Sequence, residues 1–268
     1  MMDLNTLDYA RLDVPEVLLR LFHPRPELSP AGVQPPARDL LIPVDDHTVV
    51  GARFHPAAAA APTLLFFHGN GEIVADYDEL APFYQRQGVN FLPVDYRGYG
   101  RSTGAPTVSA MMRDCHAILA FARQWLPEMG FSGPLMVMGR SLGSASALEL
   151  AASYPAQIAA LIVESGFAYA GPLLQLLGVD LTAIGFKETA GFRNVDKIRA
   201  YHGPTLIIHA EEDHIIPASD GQALYDASAA PDKTLLKIPH ANHNDILLQG
   251  FTVYMAAIQA LAARISRP

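Results

Sequence analysis

One short motif places a serine where it could act as a nucleophile. Ser141 is the middle residue of Gly-Arg-Ser-Leu-Gly at 139–143, between an apolar run ending at Met138 and a run of alanines and leucines at helical spacing. On a sharp strand-to-helix turn a serine hydroxyl is exposed, and the two glycines leave room for the strained backbone. The motif therefore predicts a hydrolase with Ser141 as nucleophile. The alternative is an ordinary N-cap serine at a helix start.

Two later residues could complete the chemistry. A serine hydroxyl is a poor nucleophile at neutral pH, so a histidine must accept its proton and a carboxylate must orient that histidine. Asp213 follows the predicted strand at 205–209, and His243 lies between the last predicted strand and the last predicted helix. The three candidates occur along the chain in the order Ser141, Asp213, His243, and each lies shortly after a predicted strand.

The residues alone leave alternatives open for both partners of the serine. These alternatives are Glu164, Glu211 and Glu212 for the acid and His240 for the base. His240 and His243 could also be read as a metal-binding pair, but no further ligand stands at a suitable spacing, so we predict no metal. The sequence has neither a dinucleotide fingerprint nor a phosphate-binding loop motif, so we predict no cofactor.

The predicted scaffold alternates strands and helices. The strands are short and almost wholly apolar, as in a parallel sheet covered on both faces. This alternation predicts an α/β fold with a doubly wound sheet, and an antiparallel hairpin ahead of it brings the total to about eight strands. Strands are predicted at 40–44, 49–54, 63–67, 90–95, 135–138, 160–163, 205–209 and 234–238. Helices are predicted near 74–87, 108–125, 142–154, 219–227 and 246–265.

Two segments fall outside this alternation. Residues 1–36 precede the first predicted strand and end in a proline-rich stretch, so we predict an N-terminal extension before a single domain at 37–268. Residues 165–201 separate two predicted strands and are too many for an ordinary crossover loop. We predict that they form a small cap over the carboxyl ends of the strands, where α/β sheets bind ligands. The alternative is an extra helix packed beside the sheet.

The composition excludes several classes of partner. The chain has 268 residues, 50% of them hydrophobic, and a net charge of −8, which argues against a nucleic-acid partner. Its single cysteine, Cys115, excludes a disulfide within the chain. We find no run of about 18 apolar residues and no secretory leader pattern, so we predict no membrane span and a cytoplasmic location. The oligomeric state is not determined by these features.

Several motifs, in the expected order, resemble those of the α/β-hydrolase superfamily. They include His-Gly-Asn-Gly at 68–71, Asp-Tyr-Arg-Gly-Tyr-Gly-x-Ser at 95–102 and the motif at 139–143. The chain is most similar to the BEM46-like and depalmitoylase-like small serine hydrolases, from about residue 40 onward. The resemblance implies an α/β-hydrolase fold, with a mostly parallel sheet of about eight strands, helices on both faces and a short cap insertion.

The resemblance also assigns roles to single residues. It places the acid four residues before the proline of Ile-Ile-Pro, which selects Asp213, and the base in His-Asn-Asp, which selects His243. The N–H of Leu142, next to the nucleophile, is one expected oxyanion donor, and the resemblance assigns the second to the N–H of Asn70. The loop at 95–102 is implied to support the site rather than to react.

We therefore predict a cofactor-free serine hydrolase that cleaves a carboxylic ester through an acyl-enzyme intermediate. The expected partner is a small-molecule ester or thioester, because the same triad cleaves both. A peptidase or amidase activity remains an alternative. So does a non-catalytic binding protein on a hydrolase scaffold, because fold does not dictate function.

Overall fold

The computed structural model describes residues 8–28 and 35–266, and its centre is an eight-stranded sheet. The strand order is β1-β2-β4-β3-β5-β6-β7-β8. β2 pairs antiparallel with β1 and β4, and the remaining pairs are parallel. The strands are β1 Arg38–Pro43, β2 Val49–Phe54, β3 Thr63–Phe67, β4 Asn90–Val94, β5 Leu135–Arg140, β6 Ala160–Glu164, β7 Thr205–Ala210 and β8 Lys233–Ile238.

The described residues form eight α-helices, and most of these cover the two faces of the sheet. They are α1 Pro15–Leu21, α2 Ala81–Arg86, α3 Val108–Glu128, α4 Ser144–Ser153, α5 Ala170–Leu176, α6 Asn194–Ala200, α7 Ala218–Ala227 and α8 Ile246–Ile265. Neighbouring strand residues point to opposite faces, so Leu65 packs with one set of helices and Leu64 with the other. Buried residues of α2 and α8 share the core of one face, and those of the other helices share the second core. The predicted fold class is confirmed.

Local chemistry explains one difference from the predicted helices. The helix expected near 74–87 is a 3-10 turn at Val74–Tyr77 followed by α2. Pro82 lies in the first turn of α2, where its missing N–H costs nothing. A helix running through this position would lose a hydrogen bond and clash with the proline ring.

The two segments that break the alternation both pack on the body of the protein. Within 165–201, α5 lies next to the carboxyl ends of the strands, while α6 packs against α4. Of the predicted extension, residues 8–28 are described, and Val17 and Leu21 of α1 are fully or nearly fully buried in the core. Residues 1–7, 29–34 and 267–268 lie outside the described residues, and the predicted domain limits stay predictions.

α8 is both long and apolar. Among the described residues it is the one helix whose length and composition would allow it to cross a membrane. It contributes Tyr254, Ile258 and Leu261 to the core between the helix and the sheet. A helix that packs along one face of a sheet satisfies the same length and composition criterion, so this finding is weak evidence for a membrane span.

Candidate active site

The sheet order brings the two loops that carry the serine and the predicted oxyanion donor side by side. β3 and β5 are parallel neighbours, with Phe67 opposite Gly139, although β4 comes between them in the chain. The strand order therefore reverses at β3, and such switch points open a crevice at the carboxyl ends of the strands. Asn70 follows β3 and Ser141 follows β5, so both lie at this crevice.

Ser141 occupies a strained turn that the flanking glycines permit. Its φ is 51°, in the left-handed region, which costs about 1–3 kcal/mol for a residue with a side chain. A Cβ on Gly139 would lie 2.2 Å from the carbonyl oxygen of Gly143, and one on Gly143 would lie 2.1 Å from that of Phe67. Only glycine fits at either position. The turn continues as a 3-10 helix at Ser141–Gly143, and α4 follows.

The structure brings Ser141, His243 and Asp213 together. The Oγ–H of Ser141 donates to Nε2 of His243 at 2.9 Å, and Nδ1–H of His243 donates to Oδ2 of Asp213 at 2.7 Å. Ala210 and Ile238 are paired at the ends of β7 and β8, so the loops after these neighbouring strands start together. This register is why an acid and a base 30 residues apart meet.

The acid of this group is held in its charged form. Burial raises the pKa of Asp213, but the hydrogen bond and charge of His243 lower it more, with help from two backbone N–H groups. Those groups belong to Ile215 and Ile216 and donate to Oδ1 at 2.9 and 2.8 Å. The net pKa of Asp213 lies below its ordinary value, so it is a carboxylate at neutral pH.

The alternative residues lie in other surroundings. His240 is 86% exposed and lies 3.5 Å from the exposed Glu212, while Glu211 is also on the surface. Glu164 is buried, but it accepts hydrogen bonds from Arg140 and Tyr254 rather than from a histidine. Within the described part of the chain, no group of three or more His, Cys, Asp or Glu side chains could hold a metal ion.

A cavity of about 240 Å³ opens beside the serine and has two kinds of wall. Ser141, the two expected oxyanion donors Asn70 and Leu142, and His243 all line it. Leucine and isoleucine side chains form an apolar wall, and the remaining side chains form a polar one. The apolar wall consists of Leu21, Leu142, Leu173, Leu177 and Ile215, and the polar wall includes His23, Glu72, Arg140 and Asn244. Leu21 and His23 come from the N-terminal segment, to which our sequence analysis gave no role.

Arg140 is a further residue to which the sequence motifs gave no role. Its Nε donates to Glu72 at 2.8 Å, Nη1 to Glu164 at 3.4 Å, and Nη2 to the carbonyl oxygen of His243 at 3.1 Å. Burial alone would lower the pKa of Arg140. The negative charges of Glu164 and Glu72 have the larger effect and raise this pKa above its ordinary value, so the guanidinium stays charged. The available signal was a charged residue at the end of an otherwise apolar strand, where a buried charge requires partners.

Glu72 connects Arg140 to the loop expected to carry the oxyanion donor. Its Oε2 accepts the N–H of Gly69 at 2.6 Å and the hydroxyl of Tyr77 at 2.6 Å. Burial raises the pKa of Glu72, yet Arg140 and Tyr77 lower it below its ordinary value. The carboxylate is therefore charged, and a charged acceptor makes the stronger hydrogen bond to the backbone.

The loop at 95–102 lies outside the cavity. Oδ1 of Asp95 accepts the N–H of Val74 at 2.9 Å, and Arg97 makes a bidentate pair with Asp114 at 2.6 and 2.7 Å. Both charged residues thus bind other groups of the protein and do not line the cavity. The supporting role implied by the resemblance agrees with these contacts.

Comparisons with known proteins agree with the fold and the motifs. The family model described as serine aminopeptidase S33 matches residues 58–184. Alpha/beta hydrolase domain-containing protein 17B of Homo sapiens is 34% identical over 70% of this chain, which spans 62% of that protein. Alpha/beta hydrolase domain-containing protein WAV2 of Arabidopsis thaliana is 30% identical over 72% of this chain and 67% of its own length.

Solved structures show the same fold. An esterase of Pyrococcus furiosus matches 91% of this chain and 100% of its own with a TM-score of 0.70. At 18% identity this likeness concerns the fold alone. With a relative of 30% identity matched over two thirds of its length, the chain belongs to the α/β-hydrolase superfamily.

Proposed function

We propose that this hydrolase is a serine esterase that acts through an acyl-enzyme intermediate. The observation that carries the proposal is the continuous hydrogen-bond chain from Ser141 through His243 to Asp213, at 2.9 and 2.7 Å. A nucleophile, a base and an orienting carboxylate at these distances are what acyl transfer requires. Family membership independently supports hydrolase activity.

In the proposed first half-reaction the enzyme is acylated. Nε2 of His243 takes the proton of Ser141 while Oγ attacks the carbonyl carbon of the ester. The N–H groups of Asn70 and Leu142 donate hydrogen bonds to the carbonyl oxygen as negative charge develops on it, each worth about 2.7–4 kcal/mol. The carbon–oxygen bond to the leaving group then breaks, and His243 returns the proton to the departing alcohol.

In the second half-reaction water replaces the alcohol. His243, neutral again, takes a proton from water, and the resulting hydroxide attacks the acyl carbon. Collapse of the second tetrahedral intermediate releases the acid and returns the proton to Ser141. Asp213 stays ionised throughout and stabilises the imidazolium that forms twice per cycle.

The cavity favours an apolar acyl group of modest size. A volume of about 240 Å³ lies below the range of about 300–1,000 Å³ typical of sites for drug-sized ligands. Leu173, Leu177 and Leu21 line it together, so an acyl chain would lose its contact with water there. A thioester with the same acyl chain would contact this wall in the same way as an ester. The wall therefore does not indicate which leaving group the enzyme accepts.

The test is activity with p-nitrophenyl esters together with labelling by a fluorophosphonate. The wild-type protein should hydrolyse short esters, and Ser141→Ala should lose at least about 10³-fold in kcat and all labelling. Ser132→Ala is the matched control, because Ser132 is exposed and remote from the cavity, and it should behave as wild type. Retained activity in Ser141→Ala, or an inactive wild type, would contradict the proposal.

An aminopeptidase is the second candidate, because the matching family model carries that description. Aminoacyl p-nitroanilides tested beside the esters separate the two. A kcat/KM higher for the anilides than for the esters would favour the peptidase.

A further inference from the structure

The side chain of Asn70 is bound on both of its polar atoms by residues from two other segments. Its Oδ1 accepts the N–H of His23 at 2.8 Å and the hydroxyl of Tyr99 at 2.8 Å. Its Nδ2 lies 2.9 Å from Nδ1 of His23. The amide thus makes three hydrogen bonds, and none of them is to a residue of its own loop.

These contacts determine the orientation of the amide and the tautomer of the histidine. A backbone N–H can only donate, so the atom of Asn70 that faces the N–H of His23 must be the oxygen. Nδ2 then faces the imidazole and donates, which makes Nδ1 of His23 an acceptor and leaves the proton of the neutral ring on Nε2. Burial raises the pKa of Tyr99, so its hydroxyl keeps the proton that it donates.

The neighbours of Asn70 explain why such fixation matters. Gly69 and Gly71 flank it, and Gly71 has a φ of 77°, so the backbone here has more conformational freedom than elsewhere. An oxyanion donor stabilises charge only if its N–H is already aimed when that charge develops. Gly-Asn-Gly thus combines a backbone that can reach the required geometry with one side chain able to hold it there.

The N-terminal segment also binds the next residue of the same loop. Nε of Arg25 donates to the carbonyl oxygen of Gly71 at 2.7 Å, and its guanidinium pairs with Asp76. The N–H of Gly100 donates to the carbonyl oxygen of Arg25 at 2.9 Å, which ties this segment to the loop that carries Tyr99. His23 and Arg25 therefore contact two successive residues of the loop.

We propose that His23 and Tyr99 are positioning residues that act through the side chain of Asn70 to aim its backbone N–H at the oxyanion. This role rests on the proposed function, because it presumes a tetrahedral intermediate on Ser141. The N-terminal segment is then part of the active site: Leu21 and His23 line the cavity, and His23 also stabilises the donor loop.

A purely structural role for these contacts makes a different prediction. If they only attach the N-terminal segment to the body, their loss lowers the melting temperature and leaves turnover per folded molecule unchanged. If they aim the donor, their loss lowers kcat with little change in KM, because the oxyanion exists only after binding. Affinity for a trifluoromethyl ketone, whose adduct with the serine carries the same oxyanion, should fall in parallel.

The experiment is a double-mutant cycle with Tyr99→Phe and Asn70→Ala. Tyr99→Phe removes one hydroxyl and keeps the buried ring, and we expect a loss in kcat of about 3- to 10-fold. Asn70→Ala removes all three hydrogen bonds but keeps the backbone N–H, and we expect about 30- to 100-fold. In the Asn70→Ala background, Tyr99→Phe should have no further effect, because the hydroxyl acts through the missing amide. In all of these variants KM should stay within about twofold of the wild-type value.

Tyr225→Phe is the control, because that hydroxyl lies on α7 and outside the cavity, and it should match wild type. His23→Ala should lower kcat in the same way as Tyr99→Phe. Single variants with wild-type kcat and ketone affinity, or strictly additive effects in the cycle, would overturn the positioning role while the esterase assignment stands. A wild-type protein that neither hydrolyses esters nor reacts with a fluorophosphonate would overturn both.

Discussion

Ser141 forms its hydrogen bond with His243, and the surroundings of His243 differ from those of His240, which is close to it in the sequence. His243 is buried, with one ring nitrogen on Ser141 and the other on Asp213. His240, three residues earlier, is 86% exposed. A base must reach the proton that it removes, so geometry at the scale of single residues separates two histidines that the sequence alone leaves as alternatives.

The first prediction compares these histidines. His243→Ala should reduce kcat for a p-nitrophenyl ester by about 10⁴- to 10⁶-fold, because the serine loses its base. His240→Ala should leave kcat within about twofold of wild type, as expected for an exposed side chain away from the site. Steady-state kinetics on both variants measure this difference, and comparable losses would contradict the assignment of the base.

At the scale of elements, Arg140 connects two loops and the end of a neighbouring strand. It is the last residue of β5, and its guanidinium contacts Glu72 in the loop after β3, Glu164 at the end of β6, and the backbone of His243 after β8. The planar guanidinium carries donors in fixed directions, which suits three acceptors at once. The relative positions of the donor loop and the base thus depend on one side chain.

The second prediction concerns this connection. Arg140→Lys should lower kcat by about tenfold with a small change in KM, because an ammonium group on a flexible stem cannot hold three acceptors in the same geometry. Arg140→Met should also cost about 3–5 kcal/mol of unfolding free energy, since the buried Glu164 and the partly buried Glu72 lose their partner. Kinetics and urea denaturation measure these effects. Arg199→Lys, at an exposed ion pair, is the control, and an equal response there would refute the role of Arg140.

At the scale of the whole molecule, a buried ion pair joins parts of the chain that are distant in sequence. Nζ of Lys197 on α6 lies 2.6 Å from Oε2 of Glu149 on α4 and donates to the hydroxyl of Tyr9 at 3.0 Å. Lys197 is fully buried, so its charge depends on Glu149. Burial raises the pKa of Glu149, but His116 and Lys197 outweigh it and lower the pKa to about 2.

The third prediction uses this cluster. Glu149→Gln should cost about 3–5 kcal/mol of unfolding free energy at neutral pH, because it leaves the Lys197 charge buried without its partner. The pKa of Glu149 is lower in the folded state, so its contribution is complete above about 4.5 and declines as the pH falls towards about 2. Urea denaturation at several pH values should show that the difference in unfolding free energy between wild type and variant becomes smaller over that range. Glu128→Gln, on the exposed side of α3, is the control and should show no such gap.

The amino-acid sequence was enough to predict the order of the eight strands and the candidate residues for the chemistry. Apolar runs bounded by turns predicted β3 at 63–67, as observed, because strand periodicity and turn residues are local properties. Ser141, Asp213 and His243 could be identified as candidates for the same reason, since each follows a predicted strand.

The surroundings of these residues depend on how distant segments pack, which the sequence patterns did not predict. His23 and Tyr99 both form hydrogen bonds with Asn70, so three segments meet at this residue, and no local sequence pattern predicts which segments meet. The partners of Arg140 depend likewise on the sheet order, which places β3 and β6 on either side of β5. Periodicity indicates which face of an element is buried, whereas the neighbours of a side chain follow from how the elements pack.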